Sequence, residues 1–164
     1  MSKDQTLDDV DRAILRSLQG DARISNADIA REVGLAPSAV FERIKKLEAR
    51  GTIQGYETRV EPDALDLGLL AFIFVRAEER PGMARAGELL AHVPGVQEVH
   101  HIAGEDCYLV KVRATDTEDL GRMLRADFTG MPSVSSTRTT IVLGTLKEST
   151  RIPIPEEQTR ISIA

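Results

Sequence analysis

Apolar residues recur at intervals of three and four through the first fifty residues, a spacing typical of helices with one buried face. The pattern predicts a first helix over residues 8–18 and a second helix that follows Ser25 and ends at Gly34. The Ser25 hydroxyl can cap the first turn of the second helix, and glycine can end it in a left-handed conformation without a steric penalty. The expected buried positions of these helices are Val10, Ile14, Leu18, Ile29 and Val33.

A third helix is predicted after a turn of only a few residues, and Pro37 suits its first turn because the missing N–H is not needed there. Its expected buried stripe consists of Val40, Ile44 and Leu47. The opposite side has small or polar residues near its start and cations further along, namely Ser38, Glu42, Lys45, Lys46 and Ala49, with Arg43 and Arg50 on a flank.

Two helices joined by a tight turn can place the second one in the major groove of double-stranded DNA. Its N-terminal residues then reach base edges, and its Lys and Arg residues reach phosphates. The alternative is a solvated surface helix in which Glu42 simply pairs with Lys46, one turn later.

The pattern becomes strand-like after residue 51. Residues 52–60 are predicted to form a short strand pair, the wing of a winged helix-turn-helix, anchored by Ile53, Tyr56 and Val60. Residues 68–75 (GLLAFIFV) are a continuous apolar run, which predicts a central strand covered on both faces. The elements expected after it are a helix over 81–93 with Met83, Ala86 and Leu90 inward, strands over 96–103 and 108–114, a helix from Thr117 with Leu120, Leu124 and Phe128 inward, and a strand over 134–143.

The predicted order of these elements is βαββαβ, a ferredoxin-like (ACT-like) arrangement with both helices on one face of a four-stranded sheet. The predicted class is α+β, with a winged helix-turn-helix domain over 1–61, a linker over 62–67, the ferredoxin-like domain over 68–147 and a tail over 148–164. The apolar strands predict that a second subunit covers the other face of the sheet. In the tail, residues 159–164 alternate weakly and either add an edge strand to a neighbour or stay disordered.

Composition indicates a globular protein of 164 residues, 41% of them hydrophobic. The chain contains one cysteine, Cys107, which excludes an intrachain disulfide and fits a reducing compartment. No run approaches the ~20 apolar residues of a membrane helix, and the N-terminus has no apolar signal core. We therefore expect a cytoplasmic protein with no membrane partner.

Net charge does not by itself favour a DNA-binding protein. It is −5 for the chain, and residues 1–61 contain ten Lys/Arg against eleven Asp/Glu. Between Arg43 and Arg50, however, four cations accompany a single acid, Glu48. Such a local patch can bind phosphates, and we expect the affinity to depend on joining several patches by oligomerisation.

The wider sequence resembles the Lrp/AsnC family, the leucine-responsive and asparagine-responsive transcription regulators. The matching residues of the first half are Leu7, Asp8, Asp11, Ile14, Leu15, Leu18, Asp21, Ala22, Arg23, Ile29, Ala30, Val33, Gly34, Leu35, Pro37, Ser38, 43–48, Gly51, Ile53, Gly55 and Tyr56. Their fixed spacing makes the resemblance specific, and it covers about residues 7–147. Two positions depart from the family pattern. Ala36 stands where Ser or Thr often caps the third helix, and Glu42 stands where a basic residue is common. Glu42 could accept a bond from a cytosine amine or could lower non-specific affinity for phosphates.

The resemblance implies two sites. The DNA-binding residues would be Pro37, Ser38, Glu42, Arg43, Lys45, Lys46 and Arg50. The effector, usually an amino acid bound between subunits, would contact a turn similar to the family's G-x-x-D motif, with Thr137 and Thr139 as further candidates. The residues of this turn are Gly104, Glu105, Asp106, Cys107 and Tyr108.

The turn departs from the motif, because Cys107 stands at the usual Asp position and the acid is Asp106. Moving a side chain by one residue along a strand reverses the face on which it lies. An amino-acid ligand needs acceptors for its ammonium and N–H donors for its carboxylate, and Glu105 or Asp106 could supply the acceptors. The alternative is a solvated acidic turn.

The sequence contains no motif of a catalytic nucleophile such as G-x-S-x-G, no P-loop and no dinucleotide-binding glycine motif. His100 and His101 are neighbours on a predicted strand and point to opposite faces, so they cannot bind one metal together, and His92 stands apart. We expect no metal and no cofactor, only a non-covalently bound amino acid.

The sequence therefore predicts a DNA-binding transcription regulator, not an enzyme, that forms homo-dimers and higher oligomers such as an octamer. Two alternatives remain. Siroheme decarboxylases look like this family in fold and could use His100 or His101 on a tetrapyrrole. A ligand sensor whose helix-turn-helix binds only protein is the other.

Overall fold

The computed structural model describes residues 7–78 and 85–155. Its internal contacts divide the chain into two units. One unit ends at Arg59 and also includes the segment that begins at Ser149, and the other runs from Val60 to Glu148.

Three helices form the first unit: α1 (Asp9–Gly20), α2 (Asn26–Val33) and α3 (Pro37–Ala49). Their apolar stripes meet in one core, which confirms the helical periodicity read from the sequence. Its buried residues are Ile14, Ile29, Ala30, Val40, Ile44 and Leu47.

The turn between α2 and α3 is fixed by local backbone chemistry. The Ser25 hydroxyl accepts a hydrogen bond from the Asp28 N–H at 3.1 Å and caps α2. Gly34 ends α2 with φ 69°, in the left-handed region that favours glycine. Ala36 precedes Pro37 at the start of α3 and makes no side-chain cap bond. The predicted helix-turn-helix is therefore confirmed, including its uncapped third helix.

The predicted wing is wrong. Residues 52–60 form no strand, although they are all described. Of the three expected anchors only Ile53 packs against the helical core, while Tyr56 and Val60 are exposed. A two-stranded ribbon with one partly buried anchor lacks the apolar face that would stabilise it. The Tyr56 hydroxyl instead donates to the Glu48 carboxylate at 2.9 Å.

The second unit is a four-stranded antiparallel sheet in the order β2-β3-β1-β4, with two helices. This confirms the predicted βαββαβ arrangement. Its elements are β1 (Leu69–Ala77), α4 (Ala86–Leu90), β2 (Val96–His101), β3 (Tyr108–Ala114), α5 (Thr117–Met123) and β4 (Val134–Ile141). A 3₁₀ turn over Pro62–Leu65 precedes β1, and a π-helical turn over Leu124–Phe128 continues α5.

Several boundaries differ from the prediction. The helix expected over 81–93 covers Ala86–Leu90, and residues 79–84, with Met83 among them, lie outside the described residues. Strand β2 ends at His101 and β4 at Ile141, both two residues early. The break before β2 depends on Gly95, which has φ 84° and would place a Cβ 2.7 Å from the Arg113 carbonyl oxygen.

Among the described residues, the helices cover one face of the sheet, and the predicted cover of the other face by a second subunit stays a prediction. Ile73 and Val75 are completely buried in the core shared with α4 and α5. Phe72 and Phe74, which alternate with them along β1, remain partly exposed on the other face. We call this second face the open face.

The described part of the C-terminal segment binds α1 in the first unit. The Gln19 side chain donates to the Ile152 carbonyl at 3.0 Å and accepts from the Ile152 N–H at 2.7 Å. Arg151 donates to the Gly20 carbonyl at 3.1 Å. Residues 159–164, for which an edge strand or disorder was expected, lie outside the described residues.

Candidate nucleic-acid interface and effector turn

The outer face of α3 is polar and exposed. Its members are Pro37, Ser38, Glu42, Lys45, Lys46 and Arg50. Glu42 and Lys46 form no ion pair in the described structure, so the i to i+4 pairing of a merely solvated helix is not formed here. Pro37 lies in the first turn, Lys45 and Lys46 follow in the second half of the helix, and Arg50 is its C-cap residue.

Arg43 is engaged differently from the other cations of α3. Its guanidinium donates to Asp8 and to Asp11 of the α1 region, at 2.7 Å in each case. The Asp11 side chain is only 12% exposed and that of Arg43 is 33% exposed. Arg43 therefore fastens α3 to α1.

The electrostatics of this cluster favour the ionised pairs. The Asp11 N–H and the Arg43 guanidinium both donate to Asp8, and together they outweigh burial and lower the pKa of that carboxyl. The hydrogen bonds that Arg43 donates to Asp8 and Asp11 raise the pKa of its guanidinium. A groove of about 490 Å³ lies beside these residues. Acidic and basic side chains both line it, among them Glu42, Lys46 and Arg50.

Phe41 is a further residue of α3 that the sequence reasoning missed. Its side chain is 43% exposed, and the Lys45 ammonium lies over its ring, 4.7 Å from the centroid. The apolar stripe of α3 does not include it. Its only sequence signature is an aromatic residue one turn before a lysine.

The turn between β2 and β3 brings both of its acids to arginines on neighbouring strands. Arg76 of β1 bonds the Glu105 carboxylate at 3.1 Å and the Glu105 carbonyl at 3.2 Å. Arg138 of β4 bonds the Asp106 carboxylate at 3.1 Å and lies 3.9 Å from the centroid of the Phe74 ring. The sequence did not single out Arg76 or Arg138, because their contacts with the two acids depend on strand register. Gly104 is exposed, with φ 134°.

The next two residues of the turn are held by the sheet. The Cys107 N–H donates to the Val75 carbonyl at 2.8 Å, and its thiol donates to the Ala77 carbonyl at 3.3 Å. Tyr108 is buried, with its ring 5.2 Å from that of His101. Cys107 is partly buried and packs against the core.

The structure does not bring the two threonine candidates to the acids of the turn. Thr137 and Thr139 lie opposite Val75 and Ile73 and share their helix-covered face. Arg138, between them in sequence, lies opposite Phe74 on the open face. The effector candidates therefore divide between the two faces of the sheet.

The open face also carries an ion cluster at β2 and β3. Lys111 is nearly buried and pairs with Glu148 and with Glu98, the latter at 3.1 Å. These hydrogen bonds outweigh burial and raise the pKa of Lys111. His100 bonds Glu98 at 3.0 Å and lowers the pKa of that carboxyl, together with Lys111. Over the described residues, no group of three His, Cys, Asp or Glu side chains is arranged to hold a metal ion.

Comparison with known families covers both units. The family model of the AsnC-type helix-turn-helix domain matches residues 7–48, and that of the Lrp/AsnC ligand binding domain matches residues 70–152. The chain belongs to the Lrp/AsnC family. It is 35% identical over 150 residues to the leucine-responsive regulatory proteins of Klebsiella pneumoniae and Escherichia coli K12, covering 90% of this chain and 92% of each relative.

Solved structures of Lrp/AsnC regulators have the same fold. A feast or famine regulatory protein of Mycobacterium tuberculosis complexed with L-methionine is 35% identical, with a TM-score of 0.84 over 92% of this chain and 100% of its own. A Neisseria meningitidis transcriptional regulator in complex with L-methionine is 28% identical, with a TM-score of 0.82 over 90% and 97%. None of the helices in the described residues has the length and apolar character that a membrane span requires.

Proposed function

We propose that this Lrp/AsnC protein binds double-stranded DNA through the outer face of α3 and adjusts that binding in response to an amino acid held by its second unit. One observation carries the first half of the proposal. The exposed cations Lys45, Lys46 and Arg50 follow the exposed Ser38 and Glu42 on the same helix, and none of the three pairs with a carboxylate within the described residues.

This arrangement suits a helix laid in the major groove. Ser38 and Glu42 come early in α3, where side chains reach base edges, and Glu42 can accept a hydrogen bond from cytosine N4. Lys45, Lys46 and Arg50 would neutralise phosphates. Arg43, already bonded to two carboxylates, would position the helix instead of contacting DNA.

The experiment for this step is selection of duplexes from a random pool by the full-length protein at low salt. We expect enrichment of a defined sequence, with an affinity that falls linearly with salt on logarithmic axes. Ser38→Ala should change the preferred sequence. Failure to enrich any duplex would contradict the proposal, and salt-independent binding would favour a protein-binding role for the helices.

The effector half of the proposal rests on the turn between β2 and β3. Glu105 and Asp106 offer acceptors for an ammonium, and their partners Arg76 and Arg138 offer donors for a carboxylate. The Arg76–Glu105 pair is largely exposed, so exchanging a partner there for a ligand group costs little. The Asp106 side chain is 23% exposed, and its partner Arg138 is 63% exposed. The two relatives solved with L-methionine support an amino acid as the ligand class.

Thermal-shift screening against the common amino acids tests this half, because a ligand of the folded state raises its apparent stability. We expect one or a few amino acids to stabilise the wild-type protein. Asp106→Asn should reduce the shift, whereas a substitution at the exposed Glu118, away from the turn, should not. If Asp106→Asn leaves the thermal shift unchanged, the ligand binds elsewhere.

Assembly would link the two halves. The open face, with Phe72 and Phe74 partly exposed, would be covered by a second subunit, and dimers would join further to present several α3 helices at a spacing matched to the promoter. An amino acid that favours one assembly would thereby change DNA affinity. Light scattering with and without the amino acid should show dimers or larger species and a shift between them.

We expect the protein to act in the cytoplasm, where a single reduced cysteine is stable, and to have no catalytic activity. Incubation with siroheme tests the decarboxylase alternative. Loss of a carboxylate from the tetrapyrrole would contradict the regulator assignment.

A further inference from the structure

Phe41 is an apolar side chain on a helix face that is otherwise polar. Among the described residues of α1, α2 and α3, it is the one large apolar residue that is exposed. The core stripe of α3 is complete without it, since Val40, Ile44 and Leu47 fill that role. Folding of the helical unit therefore gives no reason for a phenylalanine here.

The position of Phe41 relates it to the DNA-facing side of α3. It lies one turn before Lys45, whose ammonium covers one face of the ring at 4.7 Å, and it directly precedes Glu42. The residue as a whole is 43% exposed. If Lys45 reaches a phosphate, it holds the exposed part of the ring inside the major groove, beside that backbone.

The major groove presents one apolar group to such a side chain, the C5-methyl of thymine, and phenylalanine is among the residues that contact it. We infer that Phe41 is a specificity-determining residue that reads thymine in the target site through its C5-methyl group. The inference rests on the proposed DNA-binding function and adds the base and the atom that this residue recognises.

The test removes the methyl group from the DNA and the ring from the protein. A duplex selected by the wild-type protein is amplified with either thymidine or deoxyuridine triphosphate, which differ in that methyl alone, and binding is measured for the full-length protein. Burying one methyl corresponds to about a fourfold change in affinity. The wild type should therefore prefer thymine DNA by about fourfold for each thymine contacted.

The variants separate this contact from general effects on the duplex. Phe41→Ala should bind both DNAs equally, because the group that senses the methyl is gone. Phe41→Leu should keep part of the preference, and Lys46→Ala should weaken binding to both DNAs while leaving their ratio unchanged. Phe41 is exposed and alanine favours helix, so Phe41→Ala should fold, which circular dichroism checks.

Three outcomes would overturn the inference. Equal wild-type affinity for the two DNAs would do so, as would a Phe41→Ala variant that keeps the wild-type ratio. If that variant keeps the ratio and also changes the size of the assembly in light scattering, Phe41 is a protein contact. A pool from which no duplex is enriched overturns the proposed function itself, and the inference with it, so the two failures are distinguishable.

Discussion

Replacing Arg43 tests whether this residue holds the helical unit together or contacts DNA. Arg43→Met keeps much of the side-chain volume but removes the bonds to Asp8 and Asp11, both 2.7 Å long. The variant leaves the Asp11 carboxylate, whose side chain is 12% exposed, without its charged partner. A nearly buried carboxylate without that partner is the main expected source of destabilisation.

The magnitude follows from the burial of each partner. Hydrogen bonds to charged groups contribute about 1.5–3 kcal/mol, and breaking a fully buried ion pair costs about 3–5 kcal/mol. Arg43 is one-third exposed and Asp8 is half exposed, so solvent screens part of the interaction. We expect Arg43→Met to lower the free energy of unfolding by about 2 kcal/mol, most of it through Asp11.

The assay is urea unfolding of the full-length protein followed by far-ultraviolet circular dichroism. A double-mutant cycle with Asp11→Asn isolates the pair, and we expect a coupling of about 1 to 2 kcal/mol. In DNA binding, Arg43→Met should leave the salt slope nearly unchanged. Unaltered stability together with a slope reduced by about one unit would refute the reasoning and make Arg43 a phosphate contact.

Other substitutions probe separate features. Lys46→Ala should weaken binding to all duplexes and reduce the salt slope by about one unit, as expected for one lost phosphate contact. Gly95→Ala should cost about 2 kcal/mol in urea unfolding, because φ is 84° and a Cβ would meet a β3 carbonyl, whereas Gly55→Ala, with open space, should cost little. Gln19→Ala should free the C-terminal segment, measured as faster trypsin cleavage within it. Asp8→Asn keeps the N-cap but removes the charge, so the stability difference from wild type should shrink as the pH falls below 3.8.

The sign of the last effect follows from linkage. The folded pKa of Asp8 lies below its unfolded value, so the carboxylate stabilises the protein above that value and loses its contribution as acid protonates it. A difference from Asp8→Asn that stays constant between pH 6 and pH 3 would contradict the ion pair. If Gln19→Ala leaves the rate of trypsin cleavage unchanged, the two hydrogen bonds of Gln19 do not hold the C-terminal segment in place.

The sequence by itself determined the local features of both units. The stripes of α1, α2 and α3, the Ser25 cap, the Gly34 turn and the βαββαβ order all agree with the structure. Each depends on residues close together in the chain, where helical and strand periods, glycine and proline act directly. Family resemblance added the expectation of DNA and amino-acid binding.

Only the tertiary structure decided which charges meet. The sequence pattern places Arg43 on the flank of the DNA-facing side of α3, yet it binds two carboxylates more than thirty residues earlier. Arg138 likewise reaches Asp106 across the sheet. The predicted wing does not form, because too few of its side chains pack against a core. Such pairings depend on how helices cross and how strands are registered, and a linear pattern of residue types does not contain those distances.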